Sequence, residues 1–132
     1  MTVKTALIVE DTHDIAGIME LTLKHLGIEA HRVADGPAAL AFLAASAGRL
    51  PDLILLDIGL PGMSGWEVLE AVKNTYPDAG FRVIVLTAFN DPANRLVGKL
   101  QERVACYMTK PFSVSELAAA VRQALDLGEA GE

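Results

Sequence analysis

The sequence predicts an α/β domain built on an open, doubly wound sheet of five parallel strands. Short apolar runs alternate with longer amphipathic ones five times over, the rhythm of strand followed by helix. Three of the short runs are almost continuously apolar, as strands are when helices cover both faces of a parallel sheet. The 132 residues are 52% hydrophobic with no composition break, which suits one domain able to bury its own core.

Ala6-Leu7-Ile8-Val9, Leu53-Ile54-Leu55-Leu56 and Val83-Ile84-Val85-Leu86 are expected as the central strands. Glu29 to Val33 mixes Glu29, His31 and Arg32 with Ala30 and Val33, which fits a sheet edge where one flank meets water. Val104 to Met108 is the fifth strand. The first helix follows Thr12, carries Ile15, Ile18, Met19, Thr22 and Leu26 at helical spacing, and stops at Gly27, where a left-handed residue is wanted. Asp35-Gly36-Pro37 opens a second helix, apolar at Leu40 and Leu43 and ending near Gly48, and Asp91-Pro92 opens a fourth with Leu96, Val97 and Leu100. Ser64 with Glu67, and Ser113 with Glu116, read as capping boxes that start the third and fifth helices. Right-handed crossovers then join the parallel strands, and five strands are too few for an eight-stranded barrel.

Seventeen acidic residues against eleven basic ones give a net charge of −6 with no cluster of lysine or arginine, which disfavours non-specific binding to nucleic acid or an anionic membrane. Cys106 is a single cysteine and cannot form an internal disulfide, and no leader pattern opens the chain, so a cytoplasmic protein is expected. Runs free of strongly polar residues, such as Ala38 to Ala45, fall well short of the ~20 residues that span a bilayer.

In an open α/β sheet, functional groups gather at the carboxyl ends of the strands. The first strand ends in Glu10-Asp11, the third in Asp57 and the fourth in Thr87, and Lys110-Pro111 follows the fifth. Singly, each has an ordinary explanation: a helix cap, a loop-capping acid, a β-forming threonine, a solvated lysine. Jointly, three carboxylates, a hydroxyl and an ammonium at one end of four strands require a functional reading. Carboxylates brought together repel and raise one another's pKa unless a cation lies among them, and hard oxygen ligands of this kind suit Mg²⁺. Asp57 is then a candidate nucleophile toward phosphorus, with Lys110 and Thr87 suited to stabilise the transferring phosphoryl group. Lysine serves as a point charge there, where arginine would impose a fixed fork.

These residues resemble, in order and spacing, the receiver domains of two-component response regulators over essentially the whole chain. The motifs are Ile8-Val9-Glu10-Asp11, then Leu55-Leu56-Asp57-Ile58-Gly59-Leu60-Pro61-Gly62-Met63-Ser64-Gly65, then Leu86-Thr87-Ala88, and finally Lys110-Pro111-Phe112. The resemblance implies a flavodoxin-like (βα)5 fold with strand order 2-1-3-4-5. It implies Asp57 as phosphoacceptor, and Mg²⁺ or Mn²⁺ held by Asp11, Asp57 and the Gly59 carbonyl, with Glu10 acting through a metal-bound water. Thr87 would be the switch hydroxyl, Tyr107 the aromatic that turns inward behind it, Lys110 the phosphate-binding lysine, and Lys110-Pro111 a cis bond. The implied partners are a sensor histidine kinase or histidine phosphotransfer protein, and a downstream protein that meets the surface of the fourth helix, fifth strand and fifth helix. No turnover of an external substrate is expected.

The sequence departs from the family pattern at two places that flank the acyl phosphate. Gly59 and Phe89 offer no side chain that positions an attacking water, so modest autodephosphorylation is expected. Ala105-Cys106 before Tyr107 replaces a small-acid-acid pattern frequent in receivers that dimerise through this surface. A haloacid-dehalogenase-type phosphohydrolase would want a second acid where Gly59 stands, and a flavodoxin-type module would want a phosphate-cradling loop where Glu10-Asp11 stands. A phosphorylation-independent interaction module on the same scaffold is the alternative reading. The domain is expected over residues 1–127, with 128–132 a short tail and no output domain. His13, His25 and His31 lack metal-ligand spacing and read as surface residues, Trp66 as a packing or partner-facing residue, and Cys106 as a small core residue.

Overall fold

A computed structural model describes residues 3–46, 49–87 and 104–127. The described residues form five strands, β1 (Thr5–Val9), β2 (Glu29–Val33), β3 (Leu53–Asp57), β4 (Arg82–Thr87) and β5 (Val104–Thr109), and four helices, α1 (His13–His25), α2 (Gly36–Ala45), α3 (Gly65–Thr75) and α4 (Val114–Ala124). All pairings are parallel and the sheet order is β2-β1-β3-β4-β5, as expected. The helix expected from Asp91-Pro92, with Leu96, Val97 and Leu100, lies outside the described residues, as do Ala88, Phe89, Gly48 and the tail 128–132. α4 therefore corresponds to the last of the five expected helices.

Two cores follow from the alternation of side chains along buried strands. Ala6, Ile8, Leu53, Leu55, Ile84 and Leu86 face α1 and α4, where Met19, Leu23, Leu117 and Val121 meet them. Leu7, Val9, Ile54, Leu56, Val83 and Val85 face α2 and α3, where Leu43, Val68, Leu69 and Val72 complete the second core. Both faces are apolar, which is why these strands read as continuous runs. Three strands extend beyond their apolar runs onto polar residues, to Asp57, Thr87 and Thr109. The ladder continues there through Ile58 N donating to Leu86 O at 3.1 Å and Lys110 N to Thr87 O at 2.9 Å.

Helix ends follow local chemistry with one correction, at α3, and the packed face of α1 needs another. Asp35 Oδ1 accepts from Ala38 N at 2.8 Å, and Ser113 and Glu116 form the full reciprocal box. At α3, Ser64 Oγ accepts from Glu67 N at 3.3 Å, but the exposed Glu67 carboxylate does not return the bond. Gly27, at φ +76°, ends α1, with Ile28 N bonded to Leu23 O at 2.9 Å. Ile18, expected on the packed face of α1, is instead 43% exposed, because that face is centred on Ala16, Met19 and Leu23. No described helix is long and apolar enough to cross a membrane.

Two glycines test this packing in opposite directions. A Cβ on Gly65, at the start of α3, would stand 2.5 Å from Ile58 Cα and 2.8 Å from Asp57 O, while one on Gly17 within α1 would meet nothing within 4 Å. Gly65→Ala is expected to destabilise by about 1–3 kcal/mol through overpacking against backbone. Gly17→Ala is expected to stabilise by about 0.5–1 kcal/mol through helix propensity. Urea denaturation checks both; stabilisation by Gly65→Ala would contradict the close α3 contact.

Candidate functional site

Parallel pairing brings the carboxyl ends of β1, β3, β4 and β5 to one edge of the sheet. The register pairs Val9 with Leu56, Asp57 with Leu86 and Thr87 with Thr109. Glu10 therefore follows the last rung of β1 beside Asp57, and Lys110 follows the last rung of β5 beside Thr87. The loop after β3 turns through Gly62 at φ +77°, and the close seat of Gly65 on Ile58 fixes its far end.

Glu10 is fully buried, Asp57 is 5% exposed and Asp11 is exposed. One carboxylate oxygen from each lies within 4.8 Å of the others. Lys110 Nζ stands 2.7 Å from Glu10 Oε1 and 2.9 Å from Asp57 Oδ2, bridging the two buried acids. The remaining oxygens take backbone donors: Gly59 N gives a bond of 2.8 Å to Asp57 Oδ1, and Thr12 N one of 3.1 Å to Glu10 Oε2. Glu10 Oε1 is buried and, although ion-paired, receives no well-directed hydrogen bond.

The electrostatics follow from this crowding. Burial pushes the Glu10 carboxyl above its ordinary value, and Asp57 adds to the rise, against the nearby Lys110 ammonium and the Thr12 N–H bond that lower it. Burial acts to lower the Lys110 pKa, but its close pairing with the Glu10 and Asp57 carboxylates outweighs that, and the net direction is upward. Three carboxylates against one ammonium leave a formal charge of minus two, which one divalent cation would balance. The buried Glu10 oxygen without a directed donor and the all-oxygen donor set fit a hard cation such as Mg²⁺.

Glu10, Asp11, Asp57 and Lys110 are thus brought together as the sequence suggests. Thr87 ends β4, half-buried, and its carbonyl holds the Lys110 N–H at 2.9 Å. The Lys110-Pro111 bond is cis. Tyr107 lies at the surface, 40% exposed, with its ring 6.3 Å from that of Trp66 on α3. Phe89 lies outside the described residues. Cys106 is only half-buried, since β5 is the edge of the described sheet. Among the described residues, no histidine joins a metal-type cluster; His31 sits against Glu29 at 3.3 Å and the Phe42 ring at 5.3 Å. Sequence reasoning missed Arg32, whose guanidinium reaches the backbone carbonyls of Glu10 and Asp11 from β2. Only the β1–β2 register reveals it.

Comparison with known proteins agrees with this geometry. The family model of the response regulator receiver domain matches residues 6–122. The sensory transduction protein RegX3 of Mycobacterium bovis is 40% identical over 125 residues, covering 94% of this chain and 52% of that protein. RegX3 of Mycolicibacterium smegmatis is 38% identical over 124 residues, covering 94% and 51%. The chain thus spans about half the length of these curated relatives. Among solved structures, a CheY-like response regulator receiver domain protein from Methanospirillum hungatei JF-1 superposes with a TM-score of 0.81 at 29% identity, over 95% of each chain.

The Lys110 bridge yields a stability prediction. Breaking a fully buried ion pair costs about 3–5 kcal/mol, so Lys110→Met, with a partly exposed lysine, is expected to cost about 2–3 kcal/mol at pH 7 without metal. In the wild type, a raised Lys110 pKa contributes stability that is full below pH 10.5 and fades as pH rises through the folded value. Without the ammonium, Glu10 rises further above its ordinary 4.5, so the folded state holds a proton that the unfolded state releases. The variant's deficit should therefore shrink as pH falls from 7 toward 5. Urea denaturation across that range checks this, and a deficit independent of pH would contradict it.

Proposed function

The chain belongs to the response regulator receiver family, and from that membership and the strand-end cluster we propose that it accepts a phosphoryl group on Asp57. The observation that carries this reading is a buried aspartate held between Lys110 Nζ and Gly59 N beside two further carboxylates. The two oxygens of Asp57 are oriented by one donor each. A carboxylate oxygen forms the new O–P bond while the P–N bond to the donor's imidazole breaks, leaving an acyl phosphate. Lys110 follows the added charge, and the Thr87 hydroxyl donates to a phosphoryl oxygen.

Asp11, Asp57 and the Gly59 carbonyl would hold Mg²⁺ or Mn²⁺, with Glu10 behind them. When bound, the cation neutralises charge on the transferring phosphoryl oxygens. The donor in this reading is a sensor histidine kinase or a histidine phosphotransfer protein in the cytoplasm. The chain catalyses only its own phosphorylation and hydrolysis. Drawing Thr87 toward the phosphoryl group leaves room for the Tyr107 ring, which moves inward from its exposed position. That motion reshapes the surface of β5 and α4, and so controls a partner or output domain. Gly59 and Phe89 supply no water-positioning side chain, which supports modest autodephosphorylation.

Incubation with acetyl phosphate and Mg²⁺, read by intact mass, is expected to add one phosphoryl group to the wild type and none to Asp57→Asn. No adduct, where a known receiver is modified, would favour a phosphorylation-independent interaction module. Thr87→Ala is expected to be phosphorylated without the change in Tyr107 and its surroundings that NMR reports in the wild type. The same change in that variant would contradict the switch.

A further inference from the structure

The backbone of the acidic pair is held from an unexpected direction. Arg32 pairs with Ile8 in the β1–β2 register, and its side chain runs past the end of β1. Nε and Nη2 both donate to Glu10 O, at 3.2 and 3.0 Å, and Nη2 also reaches Asp11 O at 3.3 Å. Nη1 donates to His13 Nδ1 at 3.3 Å, since a guanidinium has no acceptor.

The position of this fork is informative. β1 ends at Val9, and Glu10 makes a last backbone bond through its N–H to Val33 O at 3.1 Å before the chain leaves the sheet. The carbonyls of Glu10 and Asp11 lie beyond the ladder, and the fork gives them charge-assisted donors. One planar group therefore grips three successive features of the β1–α1 connection: the Glu10 carbonyl, the Asp11 carbonyl and the His13 ring. Asp11 has an exposed carboxylate, so its main-chain anchor is what fixes where that carboxylate starts.

We propose that Arg32 is a positioning residue that pins the Glu10–Asp11 backbone and so preorganises the carboxylates for the divalent cation. This rests on the receiver reading of the same site. The inference makes a prediction opposite in sign to simple electrostatics. A cation close to the acidic pocket opposes binding of Mg²⁺, so deleting its charge alone would tighten binding. Loss of a second-shell anchor weakens binding, typically by about 10–100-fold.

The test compares Arg32→Met and Arg32→Lys with the wild type. Mg²⁺ affinity is read from amide chemical shifts, and metal-free melting temperatures are measured alongside. The Met variant is expected to bind Mg²⁺ about tenfold more weakly. The Lys variant, which keeps the charge but not the fork, should also lose affinity, and metal-free hydrogen exchange at Thr12 N–H should quicken in both. Mg²⁺ binding by the Met variant equal to or tighter than wild type would overturn the proposal. If the Met variant does not fold, unchanged affinity in the Lys variant overturns it equally. Wild-type protein that takes up no Mg²⁺ would instead overturn the receiver reading, and this inference with it.

Discussion

The ammonium of Lys110, 2.7 Å from Glu10 and 2.9 Å from Asp57, is the interaction on which the site depends. Two carboxylates, 0% and 5% exposed, cannot share a strand-end pocket in their charged forms without a cation. Lys110 arrives from β5, which two strands, β3 and β4, separate from β1 in the sheet. It therefore ties the position of the acids to the integrity of the whole parallel sheet. Its compensation is partial: three carboxylates meet one ammonium, and burial, with Asp57 adding to it, holds the Glu10 carboxyl above its ordinary value. A site left in that state is complementary to added positive charge.

The rest of the fold serves to hold this balance. Two apolar cores clamp the strands so that their ends cannot slip, since a shift of one residue would turn each side chain to the other face. α3 lies so close to Ile58 that only glycine fits at Gly65, which carries the helix's position directly into the Asp57 loop. On the far side, Arg32 of β2 holds the Glu10 and Asp11 carbonyls, so the edge strand also meets the acidic loop. Tyr107, 40% exposed, sets its ring 6.3 Å from the half-buried Trp66 on α3.

The central strands were legible because burial on both faces makes them continuously apolar, a pattern that needs no knowledge of neighbours. Their polar ends at Asp57 and Thr87 were legible too, but β5 runs one residue past the expected Met108 to Thr109, because a polar residue after an apolar run looks like a strand's end. Ile18 misled because helical spacing gives a stripe without saying where its centre lies. Glu10, Asp11, Asp57 and Lys110 could be grouped from sequence, since parallel topology alone sends all four to one edge. Arg32 could not, because its role comes from register and from a side chain that crosses to a neighbouring strand's loop. The missing return bond of Glu67 likewise depends on whether an exposed carboxylate prefers water.

The central claim is that a partly compensated cluster of carboxylates forms a built site for a divalent cation. Its most direct test is the unfolding free energy of the wild type as Mg²⁺ is raised at pH 7, beside Asp11→Asn. A cation that binds only the folded state adds RT ln(1 + [Mg²⁺]/Kd), about 2.7 kcal/mol at a hundredfold excess over Kd. The account predicts this logarithmic rise in the wild type and most of it lost in Asp11→Asn. A wild-type stability that is flat in Mg²⁺, or an equal rise in the variant, would contradict it.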